Sequence, residues 1–175
     1  MHEKKYKVGV YAGSFNPPHI GHMTQLEDTL KYCERTHLLV RYNEGVDLTD
    51  WETKEEWFRK LTEKFGGRII VHKMSSGKIK SKKYRLNTVR EGFRKLTEVT
   101  GEPIDVMFAG EDYRGLKRLM IFLACPRLHV IISPRTYRDG VIVSSTLIRS
   151  DIEGHKDWLP ACVYESLKEL GLCKK

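Results

Sequence analysis

Short apolar runs alternate with stretches whose apolar residues recur at helical spacing. Lys7-Val8-Gly9-Val10-Tyr11-Ala12, bounded by Gly13, predicts a first strand. Leu38-Leu39-Val40, Ile69-Ile70-Val71, Val106-Met107-Phe108-Ala109 and His129-Val130-Ile131-Ile132 predict four more. Ile20, Met23, Leu26 and Leu30 share one face of a helix ending near Cys33. Trp57, Phe58, Leu61 and Phe65 line a second, stopped by Gly66-Gly67, and Leu86, Val89, Phe93 and Leu96 a third, ended by Gly101 and Pro103. A fourth helix is expected over Leu116 to Leu123, and a last one from Pro160 to Leu170, with Gly171 at its stop. Parallel neighbours need crossovers, so this order predicts an α/β chain: a parallel sheet of about five strands with helices on both faces. No internal repeat or composition break divides it, and residues 1–175 are read as one domain.

Composition narrows the function classes. Lys plus Arg is 31 and Asp plus Glu 23, a net charge of +8 that suits anionic partners such as nucleotides, phosphates or nucleic acid. No stretch approaches the roughly 18 to 20 consecutive apolar residues of a membrane span. The start, Met-His-Glu-Lys-Lys-Tyr-Lys, is too charged for a secretory signal. Cys33, Cys125, Cys162 and Cys173 are scattered, without a Cys-x-x-Cys pair or zinc-like spacing, so reduced thiols in a cytoplasmic protein are expected.

Gly13-Ser14-Phe15-Asn16-Pro17-Pro18-His19-Ile20-Gly21-His22 joins the first strand to the first helix. In a parallel sheet such a turn lies at the carboxyl edge, where ligands bind. Gly13 admits a close ligand, the two prolines stiffen the turn, and the helix start attracts anions. His19 and His22 share a helix face and can donate hydrogen bonds where negative charge develops. A lone histidine is usually an ordinary surface or core residue; two of them flanking Gly21 in this context are better read as a site. The Gly-x-x-x-x-Gly-Lys-Ser/Thr loop is absent, and Gly9 and Gly13 are wrongly spaced for Gly-x-Gly-x-x-Gly. The segment resembles the (H/T)xGH signature of the nucleotidyltransferase superfamily. Adenylyl- and cytidylyltransferases share it with class I aminoacyl-tRNA synthetases. The resemblance implies a Rossmann-like nucleotidyltransferase fold, in which a substrate phosphate attacks the α-phosphorus of a nucleoside triphosphate and pyrophosphate leaves.

Val143-Ser144-Ser145-Thr146-Leu147-Ile148-Arg149 follows the fifth strand. Its plain reading is a helix start capped by Ser144 or Ser145. Its functional reading is a second anion site made by hydroxyls, free N–H groups and Arg149. Taken with the first motif it resembles the adenylyltransferase ISSTxxR signature. Asp105-Val106-Met107-Phe108-Ala109-Gly110-Glu111-Asp112-Tyr113, Arg138 six residues before Ser144, and the tail from Ser150 through His155, Trp158, Pro160 and Val163 are similar to the NadR-type nicotinamide-nucleotide adenylyltransferase domain. The likeness runs from about residue 6 to 167 and is loose between Val40 and Gly101.

That resemblance implies transfer of AMP from ATP to a pyridine mononucleotide, nicotinamide or nicotinate, with pyrophosphate released. His19, His22 and Arg149 are the expected catalytic residues. Gly13, Ser14, Phe15 and Gly21 would line the adenylate path, and Gly110 with Glu111 or Asp112 would take the ribose. Ser144, Ser145, Thr146 and Arg149 would hold the distal phosphates, with Arg138 assisting. Mg²⁺ is expected to ride on the phosphates, since no carboxylate cage is visible. Small nucleotides are the expected partners, nucleic acid and membrane are not, and a homo-oligomer stays open.

Three features depart from the pattern. Asn16 stands where many relatives have Asp, Tyr84-Arg85-Leu86 lacks the family's Trp, and the sequence ends at Lys175, so the ribosylnicotinamide kinase activity that relatives often carry is expected to be absent. Lys73-Met74-Ser75-Ser76-Gly77 mimics the lysine-rich synthetase signature but precedes the fourth strand, so it is read as coincidence. The basic run Lys78, Lys80, Lys82, Lys83 and Arg85 is either a solvated loop or a phosphate-clamping lid. Phosphopantetheine adenylyltransfer, cytidylyl transfer and a non-catalytic nucleotide- or RNA-binding module are the alternatives.

Overall fold

A computed structural model describes residues 5–75 and 86–173. The basic run from Lys78 to Arg85, Tyr84 and the Ser76-Gly77 pair lie outside the described residues. Five parallel strands form the sheet: β1 (Tyr6–Gly13), β2 (Cys33–Tyr42), β3 (Ile69–Ser75), β4 (Val106–Ala109) and β5 (His129–Ile132), ordered β3-β2-β1-β4-β5. The crossovers carry α1 (Ile20–Tyr32), α2 (Trp51–Glu63), α3 (Leu86–Thr100) and α4 (Leu116–Ala124). After β5 come a small hairpin, β6 (Tyr137–Arg138) and β7 (Val141–Ile142), then α5 (Ser145–Ser150) and α6 (Ala161–Glu169). The five-stranded α/β expectation is met.

Period-two alternation divides the sheet's side chains between two cores. Tyr11, Leu38, Val40, Val106 and Phe108 face α1 and α2, where they meet Leu26, Leu30 and Phe58. Val10, Leu39, Met107 and Ala109 face α3 and α4, where they meet Val89 and Ile121. A third cluster lies beyond the sheet. Trp57 of α2 packs with Val143, Ile148, Leu159, Val163 and Leu167, which ties the carboxyl-terminal helices to the outer side of α2.

Several elements, β3 (Ile69–Ser75) among them, differ from expectation in extent. α2 begins at Trp51, well before its apolar stripe, because the Asp50 side chain accepts the Thr53 N–H at 2.8 Å and caps it. β2 runs ten residues rather than three, its start paired with Tyr6 of β1. The β6–β7 hairpin was not anticipated. It turns at Asp139-Gly140, both with positive φ (50° and 78°), as a two-residue turn of this hand requires. Among the described residues no helix is long and apolar enough to cross a membrane.

Candidate active site

β1 is flanked by β2 on one side and β4 on the other, so the strand order reverses between β1 and β4. A cleft opens outside the carboxyl ends of parallel strands at such a reversal. Here its volume is about 270 Å³, and Gly13, His19, Gly21, His22, Gln25, Gly110, Arg135, Thr136, Ser144 and Ser145 line it. A second cavity of about 300 Å³ lies against the α3–α4 side of the same edge. It shares Ala12 and Gly110 with the first and adds Arg41, Met74, Leu96, Asp112 and Tyr113.

The two imidazoles are stacked, ring centroids 3.6 Å apart and planes 20° from parallel. His19 is the N-cap residue of α1, and its backbone N–H donates to His22 Nδ1 at 3.3 Å. An accepting Nδ1 leaves the proton of a neutral His22 on Nε2, as a donor. Phe15 buttresses His22 edge-on at 4.8 Å and rests on Tyr11 and Phe58. Gly21 keeps the stack close: a Cβ there would sit 3.1 Å from Thr136 Oγ1 and 3.2 Å from the His19 ring. Burial lowers the His19 pKa to about 4, and burial together with neighbouring His19 holds His22 well below its ordinary value. Both rings are therefore neutral at pH 7. His19 Nδ1 is buried without a hydrogen-bond partner among the described residues, an acceptor or donor left for a ligand.

Ser144 is the N-cap of α5, its Oγ accepting the Leu147 N–H at 3.2 Å. The rest of the second motif reaches across to the first. Ser145 Oγ donates to the Pro17 carbonyl at 2.9 Å, and the Arg149 guanidinium donates to the Asn16 carbonyl and to Thr146 Oγ1. Asn16, the departure from the family pattern, uses its side-chain oxygen to accept the Leu48 N–H at 2.9 Å.

Of the expected site residues, Gly13, His19, Gly21, His22, Gly110, Ser144 and Ser145 meet in the first cleft. Ser14 is exposed beside it, and Phe15, 2% exposed, is core beneath it. Glu111 pairs with Arg114, and Asp112 with Lys117 at the second cavity. Thr146 and Arg149 are exposed behind the loop, and Arg138 is exposed on the hairpin, outside the cleft lining. The cleft instead takes Arg135 and Thr136, held by the Val143 N–H bonding to the Thr136 carbonyl at 3.0 Å. Gln25 was also missed; it accepts from the Tyr11 hydroxyl and donates to the Pro134 carbonyl. Helical spacing from His22 through α1 was the only available signal for it.

No group of three or more His, Cys, Asp or Glu side chains suited to a metal occurs among the described residues. Among the described residues that line the cleft there is no carboxylate. That donor set suits a cation delivered on a ligand's phosphates rather than one caged by protein.

Residues 10–49, which contain the first motif, match a family model described as Cytidylyltransferase-like. No curated protein sequence matches the chain. Among solved structures the chain is similar to Plasmodium falciparum nicotinic acid mononucleotide adenylyltransferase complexed with APC. That match has a TM-score of 0.62 at 14% identity and covers 96% of each chain. The same enzyme complexed with NaAD matches with a TM-score of 0.61 at 15% identity, over 95% of this chain and 97% of that one. The first motif thus matches a Cytidylyltransferase-like model, and nearly the whole chain is similar in fold to these nucleotidyltransferase structures.

Proposed function

We propose that the protein transfers AMP from ATP to a pyridine mononucleotide, releasing pyrophosphate, as a NadR-type adenylyltransferase would. The observation that carries this reading is the neutral, stacked His19–His22 pair in the cleft at the strand-order reversal. The similar structures, both nicotinic acid mononucleotide adenylyltransferases, support it.

A mononucleotide phosphate is anionic at neutral pH, so it needs no general base, and the protein's task is positioning and charge stabilisation. ATP would place its phosphates over His19 and His22, with His22 Nε2–H donating to the α-phosphate as charge develops. Arg135, Ser144 and the α5 start would take the distal phosphates. Mg²⁺ bound to those phosphates would neutralise part of their charge. The mononucleotide would lie in the second cavity, where Arg41 offers a cation and Tyr113 a ring face beside Met74 and Leu96. Ser145 and Arg149 serve this site by bracing the first-motif loop.

We read residues 1–175 as one domain, since the third core cluster binds the carboxyl-terminal helices to α2. Cys33, Cys125, Cys162 and Cys173 are scattered along the sequence without a Cys-x-x-Cys pair, which suits a cytoplasmic setting.

The test is pyrophosphate release from Mg²⁺-ATP with nicotinamide mononucleotide, nicotinate mononucleotide and phosphopantetheine offered separately. Release with a pyridine mononucleotide and formation of its dinucleotide is the expected result. Release with phosphopantetheine alone overturns the substrate assignment. The family description favours one second reading, cytidylyl transfer; pyrophosphate release from CTP but not ATP would establish it instead.

A further inference from the structure

Lys54 lies on α2 with none of its surface exposed, an unusual place for an ammonium group. Its Nζ donates to Asp47 Oδ2 at 2.6 Å and to the Ser14 carbonyl oxygen at 2.9 Å. The Asp47 side chain is itself 4% exposed, and its Oδ2 also accepts the Asn43 N–H at 3.3 Å. A buried ion pair is a poor device for stability alone, because an apolar residue of similar volume avoids the desolvation. The charge needs another use.

The loop supplies one. Pro17 and Pro18 carry no N–H, so between β1 and His19 only Ser14, Phe15 and Asn16 offer backbone donors. A trans peptide sets its N–H opposite its C=O. Lys54, by holding the Ser14 carbonyl, turns the Phe15 N–H to the far side of the loop. Phe15 has φ 47°, a left-handed conformation that a phenylalanine keeps only when its surroundings impose it. Lys54 grips the peptide before that residue, while Arg149 and Ser145 grip the carbonyls of Asn16 and Pro17 after it.

We propose that Lys54 is a positioning residue for the reaction. Through the Ser14 carbonyl it holds the strained loop so that the Phe15 N–H faces the nucleotide's phosphates, and Asp47 holds Lys54 in turn. The inference rests on the adenylyl-transfer reading and extends it to a residue outside both motifs.

The test compares wild type with Lys54→Met/Asp47→Asn. Asparagine keeps an acceptor for the Asn43 N–H and removes the charge that methionine would leave unpaired. The expected result is a folded variant whose kcat falls about 100-fold, while KM for ATP moves less than about threefold. Turnover retained in the folded double variant overturns the proposal. A second variant, Lys54→Gln/Asp47→Asn, keeps a neutral donor and should retain more turnover than the methionine variant; equal loss in both overturns the donor role.

A readout free of turnover separates this inference from the functional reading. In wild type the Phe15 amide resonance should shift when tripolyphosphate is added, and in the methionine variant it should not. If wild type transfers no adenylyl group, the functional reading fails, and this titration still judges Lys54. An equal Phe15 shift in both proteins overturns the positioning role.

Discussion

Burying two imidazoles makes them sensitive to acid. Burial holds the pKa of His19 near 4 when folded, against about 6.5 unfolded. Below pH 6.5 the unfolded chain therefore binds protons that the folded chain refuses, and stability present above that pH drains away as pH falls toward 4. For His19 alone the loss is about 3 kcal/mol, and His22, held low for the same reason, adds to it. Urea midpoints measured from pH 7 to pH 4 should fall steeply, and His19→Asn should flatten the slope. An unchanged slope would mean that His19 is not buried as a neutral ring. At the same scale, His22→Ala should lower turnover about 100-fold or more in folded protein, as expected for loss of a transition-state donor. Gly21→Ala pushes a methyl group against the His19 ring and Thr136, so its turnover should fall more than its thermal stability.

Elements rather than single residues decide what the second motif does. Its residue types pointed to an anion, and two of its side chains are found on backbone carbonyls, because a hydroxyl or guanidinium serves either kind of acceptor equally well. Arg149→Ala should therefore lower turnover by loosening the first-motif loop while leaving the melting temperature nearly unchanged, since Arg149 is exposed. Capping is the separate contribution of α2's first turn: Asp50→Ala should cost about 1 kcal/mol in denaturant unfolding. The same contrast explains what could be read from the chain. β1, β4 and the motif between β1 and α1 were legible because strand periodicity and turn chemistry are local. The Asp139-Gly140 turn was equally local and was passed over among the polar residues around Arg138. Lys54 was not legible at all: a lysine on a helix reads as solvent-facing, and only the approach of Asp47 and Ser14 from other segments reverses that.

Across the whole molecule, α2 is shared property. One side of it closes the core under the sheet through Phe58, and the other packs through Trp57 on the helices that follow the second motif. Leu167→Ala in α6 should destabilise the fold by roughly 2 to 5 kcal/mol through the cavity it leaves. The kcat of the folded fraction should be unaffected, because Leu167 touches neither cleft.

The two cavities that share Ala12 and Gly110 have a further consequence. One lies on the α1 side of the sheet's edge and the other on the α3–α4 side, so the acceptor phosphate would reach the α-phosphorus from the side opposite the departing pyrophosphate. A displacement run that way turns the phosphorus inside out like an umbrella. With an ATP analogue made chiral by sulfur at the α-phosphorus, the dinucleotide formed should have inverted handedness; retention would demand two successive displacements and a covalent stop on the protein.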